Sequence, residues 1–277
     1  MSTSPEPRSS LVEAGGLRLH YLDWGGPERQ PMLLLHGLQD CARLWASFAE
    51  SMRHRYHVVA LDHRGHGDSQ WASPESYRLA HYVRELSEVI QALDLRDIIL
   101  MGHSAGGKNA FIYAADNHQR LSKLVIVDMD PDRHNPGSVA MLDRYRAESD
   151  DYPDLEAVVE RLRSREPNTD EAVLRRHAQH MTKPLDGGGL TWRRDRNVVA
   201  HYDRPDAWAY LPRIAVPTLI VRGAQSTLLI APVARRMQQA IPDCRLVELE
   251  GGGHWCHDEQ PEAFERAVEA FLGRAAD

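Results

Sequence analysis

A serine between two glycines, in Gly102-His103-Ser104-Ala105-Gly106, has the spacing of a hydroxyl held on a turn too tight for side chains at its flanks. Nucleophilic attack through a covalent intermediate is the chemistry such a residue could do. The apolar run at residues 98–101 precedes it and a helical pattern over 105–117 follows. Ser104 is therefore expected at a strand-to-helix turn, with its Oγ over the end of a sheet. The helix N-terminus then faces the reacting oxygen, and the free Ala105 N–H favours negative charge there. The G-x-S-x-G spacing is weak by itself and gains its weight from this setting. The bland alternative is an ordinary strand-helix turn.

A serine hydroxyl is a poor nucleophile until a base takes its proton, and the chain offers 15 histidines. His254 lies in Gly251-Gly252-Gly253-His254-Trp255, just past the last apolar strand, on a loop able to reach back over the sheet. His257 is the second choice. His103 sits within the elbow with its side chain expected to point away, although it is also carried as a candidate substrate contact. His36, His63 and His66 read as structural loop residues, and an HxxH metal site at His63 and His66 is disfavoured by Arg64 and the adjacent glycines. No metal or cofactor is expected.

The base needs a carboxylate to fix its tautomer. The loop at 222–227, Arg-Gly-Ala-Gln-Ser-Thr, contains no acid, whereas Asp128 directly follows the strand at 123–127. Asp128 is favoured over Asp130 as the acid, with Asp130 and Asp132 read as a solvated loop edge. Two N–H groups must also meet the developing oxyanion, each worth about 3–4 kcal/mol of barrier. Ala105 supplies one, and the loop His36-Gly37-Leu38-Gln39-Asp40 after the strand at 32–35 is expected to supply the other through Leu38.

The elements that must position these groups are short apolar runs at 32–35, 57–61, 98–101, 123–127, 217–221 and 244–249, suited to parallel strands buried on both faces. Helical stripes at 79–93, 105–117 and 261–272 lie among them, and residues 11–20 read as a hairpin turning at Gly15-Gly16. Strand and helix in alternation predict an α/β fold with a doubly wound, mostly parallel sheet. The alternation stops between 131 and 212, where helical spacing appears and no convincing strand does. That stretch is read as a helical cap inserted into a core made of 1–130 and 213–277. Its acidic and Arg-rich faces read as solvated surface. Among its aromatics, Trp192, Tyr202, Trp208 and Tyr210 are candidate substrate contacts, each with mere packing as the alternative.

The chain has 277 residues, which suggests a core of about 200 residues plus an insertion. With 42% apolar and 26% charged residues it is globular rather than disordered. A net charge of -7, from 33 basic and 40 acidic side chains, argues against nucleic-acid and anionic-membrane partners. Cys41, Cys244 and Cys256 form no CxxC pair, and the polar, Pro-containing start reads as neither signal peptide nor anchor. A cytoplasmic, soluble protein is the expectation; nothing in the sequence indicates oligomeric state.

With these residues in view, the chain resembles the α/β-hydrolase superfamily along nearly its whole length. His36-Gly37 resembles the oxyanion loop, residues 62–69 (Asp-His-Arg-Gly-His-Gly-Asp-Ser) the D-x-R-G-x-G-x-S turn, residues 102–106 the elbow, and Gly253-His254-Trp255 the histidine loop. Many relatives carry the acid after the seventh strand, about where Thr227 stands. Here the pattern is similar to a bacterial carboxylesterase branch with the acid after strand six, an arrangement shared by some lactone-cleaving relatives. The resemblance implies a serine hydrolase acting on a small ester or lactone. Carbon–carbon bond hydrolysis of a diketone-like compound, cofactor-free oxygenation or perhydrolysis, and a non-catalytic ligand receptor are the other readings. Dehalogenase and epoxide-hydrolase chemistry are disfavoured, because their elbow nucleophile is Asp.

Overall fold

The computed structural model describes residues 6–273, so the first residues of the polar N-terminal tail lie outside the described residues. Strands β1 (Arg8–Ala14) and β2 (Leu17–Asp23) form the hairpin expected at Gly15-Gly16. Then follow β3 (Pro31–Leu35), α1 (Ala46–Met52), β4 (His57–Leu61), α2 (Leu79–Ala92), β5 (Ile98–His103), α3 (Ala105–Asp116) and β6 (Leu121–Val127). The strands at 31–127 and the two helices α2 and α3 fall where the apolar periodicity puts them.

Between β6 and the next core strand lie α4 (Pro136–Ala147), β7 (Asp151–Tyr152), α5 (Leu155–Arg165), α6 (Glu171–Met181), β8 (Thr182–Pro184), β9 (Leu190–Trp192) and α7 (Arg196–His201). The expectation of a purely helical insertion is corrected here. β7, β9 and β8 make a small antiparallel sheet, with Gly187–Gly189 in the turn joining β8 to β9. Strands of two or three residues are too short to display an alternating pattern. The core resumes with β10 (Thr218–Gly223), α8 (Ala231–Ala240), β11 (Cys244–Leu249), α9 (Cys256–Glu259) and α10 (Pro261–Leu272).

The main sheet has eight strands in the order β1-β2-β4-β3-β5-β6-β10-β11. Only the β1–β2 and β2–β4 pairings are antiparallel. Side chains alternate across the sheet, and both faces are covered. Leu33 and Leu35 join one buried cluster with α2 and α3 residues, while Met32 and Leu34 join the opposite cluster with α1 and α10 residues. Burial on both sides is why these strands read as unbroken apolar runs.

The inserted segment is fastened to the core near its turn at 62–69. Gly67 N–H donates to Arg193 O at 2.8 Å, Asp195 N–H to Gly65 O at 2.7 Å, and the Tyr77 hydroxyl to Asp195 Oδ2 at 2.7 Å. The turn itself is organised by Asp62, whose carboxylate accepts from Ala42 N–H, Asp68 N–H and His20 Nδ1. No helix among the described residues is long and apolar enough to cross a membrane.

Candidate active site

The parallel register sets the first two groups side by side. His103 pairs with Val127 across β5 and β6, so Ser104 and Asp128 leave adjacent strands at the same level. The ladder continues past both ends: Ser104 N–H donates to Val127 O at 2.9 Å, and Asp128 N–H to Val221 O at 2.8 Å. Ser104 is held at φ 52° and Asp128 at φ 46°, backbone conformations that non-glycine residues rarely adopt. The flanking glycines make the elbow possible. A Cβ at Gly102 would lie 2.3 Å from Gly106 O, and one at Gly106 would lie 2.5 Å from both Leu35 O and His36 O. The start of α3 is thus pressed against the end of β3.

The loop after β11 brings the imidazole. His254 Nε2 lies 3.0 Å from Ser104 Oγ, and His254 Nδ1 lies 2.7 Å from Asp128 Oδ2. A carboxylate facing Nδ1 keeps the proton there, which leaves Nε2 free to accept the serine proton. Burial and the neighbouring His103 push His254 well below the ordinary histidine range, so its resting ring is neutral. Burial raises the Asp128 carboxyl, opposed by the hydrogen bonds it accepts from the Ser226 hydroxyl at 2.5 Å and Gly223 N–H at 3.2 Å.

Asp130, the other acid considered, faces elsewhere. Its oxygens pair with Arg204 at 2.9 Å and accept from Asn135 Nδ2 at 3.0 Å and Asp132 N–H at 2.7 Å. It is buried rather than at a solvated loop edge. His257, the second choice of base, is buried with its ring against His103 and Trp45.

Leu38 and Ala105 belong to one buried apolar cluster, and a Cβ added to Gly37 would lie 3.2 Å from the Ser104 Cβ, so the loop that bears Leu38 runs beside the nucleophile. The loop before them rests on histidines. His36 Nε2 accepts from His63 N–H while its Nδ1 donates to Gly37 O, and His66 Nε2 accepts from Gln39 N–H while its Nδ1 donates to Arg64 O. Each ring is spent on backbone, which fits a structural role.

The aromatic candidates divide. Tyr202 packs on the cluster holding Leu38 and Ala105. Trp192 is buried in a different cluster with Leu162, Met181 and Trp255. Trp208 donates its indole N–H to Asp132 Oδ1 at 2.6 Å and lies under the Arg236 guanidinium, and Tyr210 lines a separate groove with Leu79 and Val83. His103 does not join the cavity wall either; its ring is buried beneath His254.

A cavity of about 330 Å3 opens on His254, walled by Met141 and Arg144 from α4, Arg165 and Glu166 at the end of α5, and Leu228 after β10. The Arg163, Arg175 and Arg196 side chains reach solvent, as the reading of the segment's Arg-rich faces as solvated surface expects, but Arg165 departs from it. Arg165 is buried, with its guanidinium 4.6 Å from the Trp255 ring centroid and 5.2 Å from that of Tyr145, because the apolar stem and flat head pack on aromatic faces. Burial pushes the adjacent Glu166 carboxyl up to about 7 against the pull of Arg165. Arg165 and Ser226 carry no site signal in the sequence, since one sits in a helix of alternating charge and the other in a loop without an acid.

A family model described as alpha/beta hydrolase fold matches residues 30–261. The chain is similar to 2-(acetamidomethylene)succinate hydrolase of Mesorhizobium japonicum, 28% identical over 268 residues and covering 95% of each chain. It is also similar to esterase Rv0045c of Mycobacterium tuberculosis, 27% identical over 278 residues, covering 97% of this chain and 90% of the relative. The crystal structure of E-2-(acetamidomethylene)succinate hydrolase superposes with a TM-score of 0.89 at 27% identity, covering 96% of this chain and 99% of that one. The sheet order, the elbow between β5 and α3 and this match over most of the sequence agree, and the chain belongs to the α/β-hydrolase family.

Proposed function

We propose that the protein is a serine hydrolase that cleaves an ester or lactone bond in a small substrate bearing a carboxylate. The observation that carries the hydrolytic part is the unbroken chain from Ser104 Oγ to His254 at 3.0 Å and from His254 to Asp128 at 2.7 Å. In this reading Ser104 Oγ attacks the carbonyl carbon while His254 Nε2 takes its proton. Leu38 and Ala105 N–H groups hold the oxyanion of the tetrahedral intermediate. His254 returns the proton to the departing alkoxide, leaving an acyl-serine. Water, deprotonated by the same imidazole, then releases the acid and restores the serine. Residues 131–212 act as the cap that closes the substrate cavity, over the core of 1–130 and 213–277.

The acidic substrate class rests on Arg165. The buried Arg165 guanidinium forms part of the wall beside His254 together with Glu166 and Glu259, and Arg144 adds a second positive group there. With burial pushing the Glu166 carboxyl up to about 7, the two guanidiniums are the groups offered to an acidic substrate. Arg165 Nε lies 3.5 Å from Glu166 Oε1 without a hydrogen bond among the described residues, so burial rather than a tight ion pair fixes this guanidinium. The name of the Mesorhizobium relative, 2-(acetamidomethylene)succinate hydrolase, supports a carboxylate-bearing substrate.

The test compares p-nitrophenyl hemisuccinate with neutral p-nitrophenyl butyrate. The anionic ester is expected to show the higher kcat/KM. Arg165→Met should remove about 10- to 100-fold of kcat/KM for the anionic ester, the worth of a charged hydrogen bond, and only a few-fold for the neutral one. Equal losses on both esters would overturn the acidic-substrate reading. Rapid labelling of Ser104 by a fluorophosphonate is expected and separates an enzyme from a receptor.

Ser226 gives a smaller effect. Its hydroxyl donates to Asp128 and accepts from Leu228 N–H at 3.1 Å, so it fixes the carboxylate without touching the imidazole. Ser226→Ala should lower kcat by about 5- to 30-fold with KM little changed, measured by steady-state kinetics. A loss as deep as that from removing the Asp128 charge would contradict a merely supporting role.

A further inference from the structure

We propose that Asp40 and His103 form a buried ion pair that locks three loops together, at 36–41, 102–106 and 251–255, and so holds His254 in register with Ser104. The proposal rests on the serine-histidine reading above and makes both residues positioning residues.

The geometry assigns the charge. His103 Nε2 lies 2.9 Å from the carbonyl oxygen of His254, which can only accept, so Nε2 carries a proton. His103 Nδ1 lies 3.6 Å from Asp40 Oδ2, an ion-pair distance at which the carboxylate favours a proton on Nδ1 as well. A ring protonated on Nε2 by its hydrogen bond and on Nδ1 by the facing charge is an imidazolium in an ion pair with Asp40. Burial alone would neutralise it, yet the facing Asp40 carboxylate and the His254 carbonyl outweigh burial and raise His103 above the ordinary histidine range. Asp40 is in turn held below the usual carboxylate range, where His103 overcomes the cost of burial.

The placement links the pair to catalysis. His103 is the residue before Ser104, and its contact to residue 254 is to the backbone that carries the catalytic imidazole. Its ring also stacks 4.6 Å from the His254 ring and 4.6 Å from that of His257. Asp40 belongs to the loop that bears Leu38, and Asp40 N–H donates to Gly37 O at 3.2 Å. The four residues meet at one point. A Cβ added to Gly37 would lie 2.6 Å from Asp40 Oδ2, 3.0 Å from His103 Nδ1 and 3.2 Å from Ser104 Cβ. A small rotation of the 254 backbone would swing the imidazole off the serine, and a misplacement of about 1 Å can cost about 100-fold in rate.

Asp40→Asn keeps the shape and removes the charge, His103→Gln removes the ring, and the double variant completes a cycle. With p-nitrophenyl acetate each single variant should lose about 10- to 100-fold in kcat with KM within about 3-fold. Fluorophosphonate labelling of Ser104 should slow by the same factor, and the double variant should be no worse than the weaker single. A folded Asp40→Asn that labels as fast as the unaltered protein overturns the proposal, as does a double variant whose loss is the product of the two single losses. If a variant fails to fold, 15N NMR of the unaltered protein decides: two protonated ring nitrogens on His103 at neutral pH support the pair, and a neutral ring overturns it. Failure of the underlying reading looks different, because Ser104 would then resist labelling in the unaltered protein.

Discussion

Ser104→Ala is expected to lower kcat for p-nitrophenyl acetate by about four to six orders of magnitude while leaving the protein folded. Three features concentrate the chemistry on this one atom. The elbow conformation lifts Oγ to within 3.0 Å of the only imidazole nitrogen aimed at it among the described residues. The start of α3 lies directly behind it, so developing charge meets the helix N-terminus. And the neutral state of His254, enforced by burial, keeps the proton acceptor available. Alanine adopts the same strained φ of 52°, so its thermal midpoint should stay within a few degrees of the parent. Ser104→Gly relieves that strain, worth about 1–3 kcal/mol, and should unfold at a higher denaturant concentration while being equally inactive. An elbow serine that can be replaced without loss of turnover would remove the covalent route altogether.

The opposite signs expected for activity and stability at residue 104 explain why this site is visible in the sequence at all. A position that keeps a non-glycine residue where glycine would be more stable must be held there by its side chain. Glycines at 102 and 106 are forced by contact with neighbouring backbone, and the strand at 98–103 is forced by burial on both faces. Such local constraints can be read from residue types. His254 is legible in the same way, from a glycine-rich loop after the last apolar run.

Other parts of the site arise only when distant segments meet. Arg165 looks like one more charge on the polar side of α5, and its burial comes from Trp255 and Tyr145, far away in the chain. Ser226 gains a role because β10 lies beside β6, which brings the loop after one strand to the acid after the other. The contact between Asp40 and His103 joins the loop after β3 to the last residue of β5. The sheet formed by β7, β9 and β8 pairs segments of two or three residues, too short to carry a period. Trp208 and Tyr210 were candidates because they are aromatic, yet a hydrogen bond to Asp132 and packing on the α2–α3 side hold them away from the serine.

Asp128→Asn should cost about 10,000-fold in kcat, and Asp130→Asn only a few-fold, although the two residues are separated by one position. Asp128 receives hydrogens from three directions: Gly223 N–H on Oδ1, and both Ser226 and His254 on Oδ2. An asparagine can keep its oxygen towards Gly223 only by turning its NH2 towards the imidazole. Donor then meets donor at Nδ1, and the ring relieves the clash by carrying its proton on Nε2 instead. That tautomer cannot accept from Ser104, which is why a neutral, nearly isosteric change should be so costly. Asp130 fails in another way. It is the counter-charge of the buried Arg204, at 2.9 Å, and its loss leaves that guanidinium unpaired. Breaking such a pair costs about 3–5 kcal/mol, so Asp130→Asn should unfold at a clearly lower denaturant concentration while turning over substrate almost normally once folded. Measuring kcat and the denaturation midpoint on both variants gives a crossed pattern, with activity lost at 128 and stability lost at 130. The reverse pattern would move the acid two residues along the chain and leave the 2.7 Å contact between His254 and Asp128 without a catalytic role.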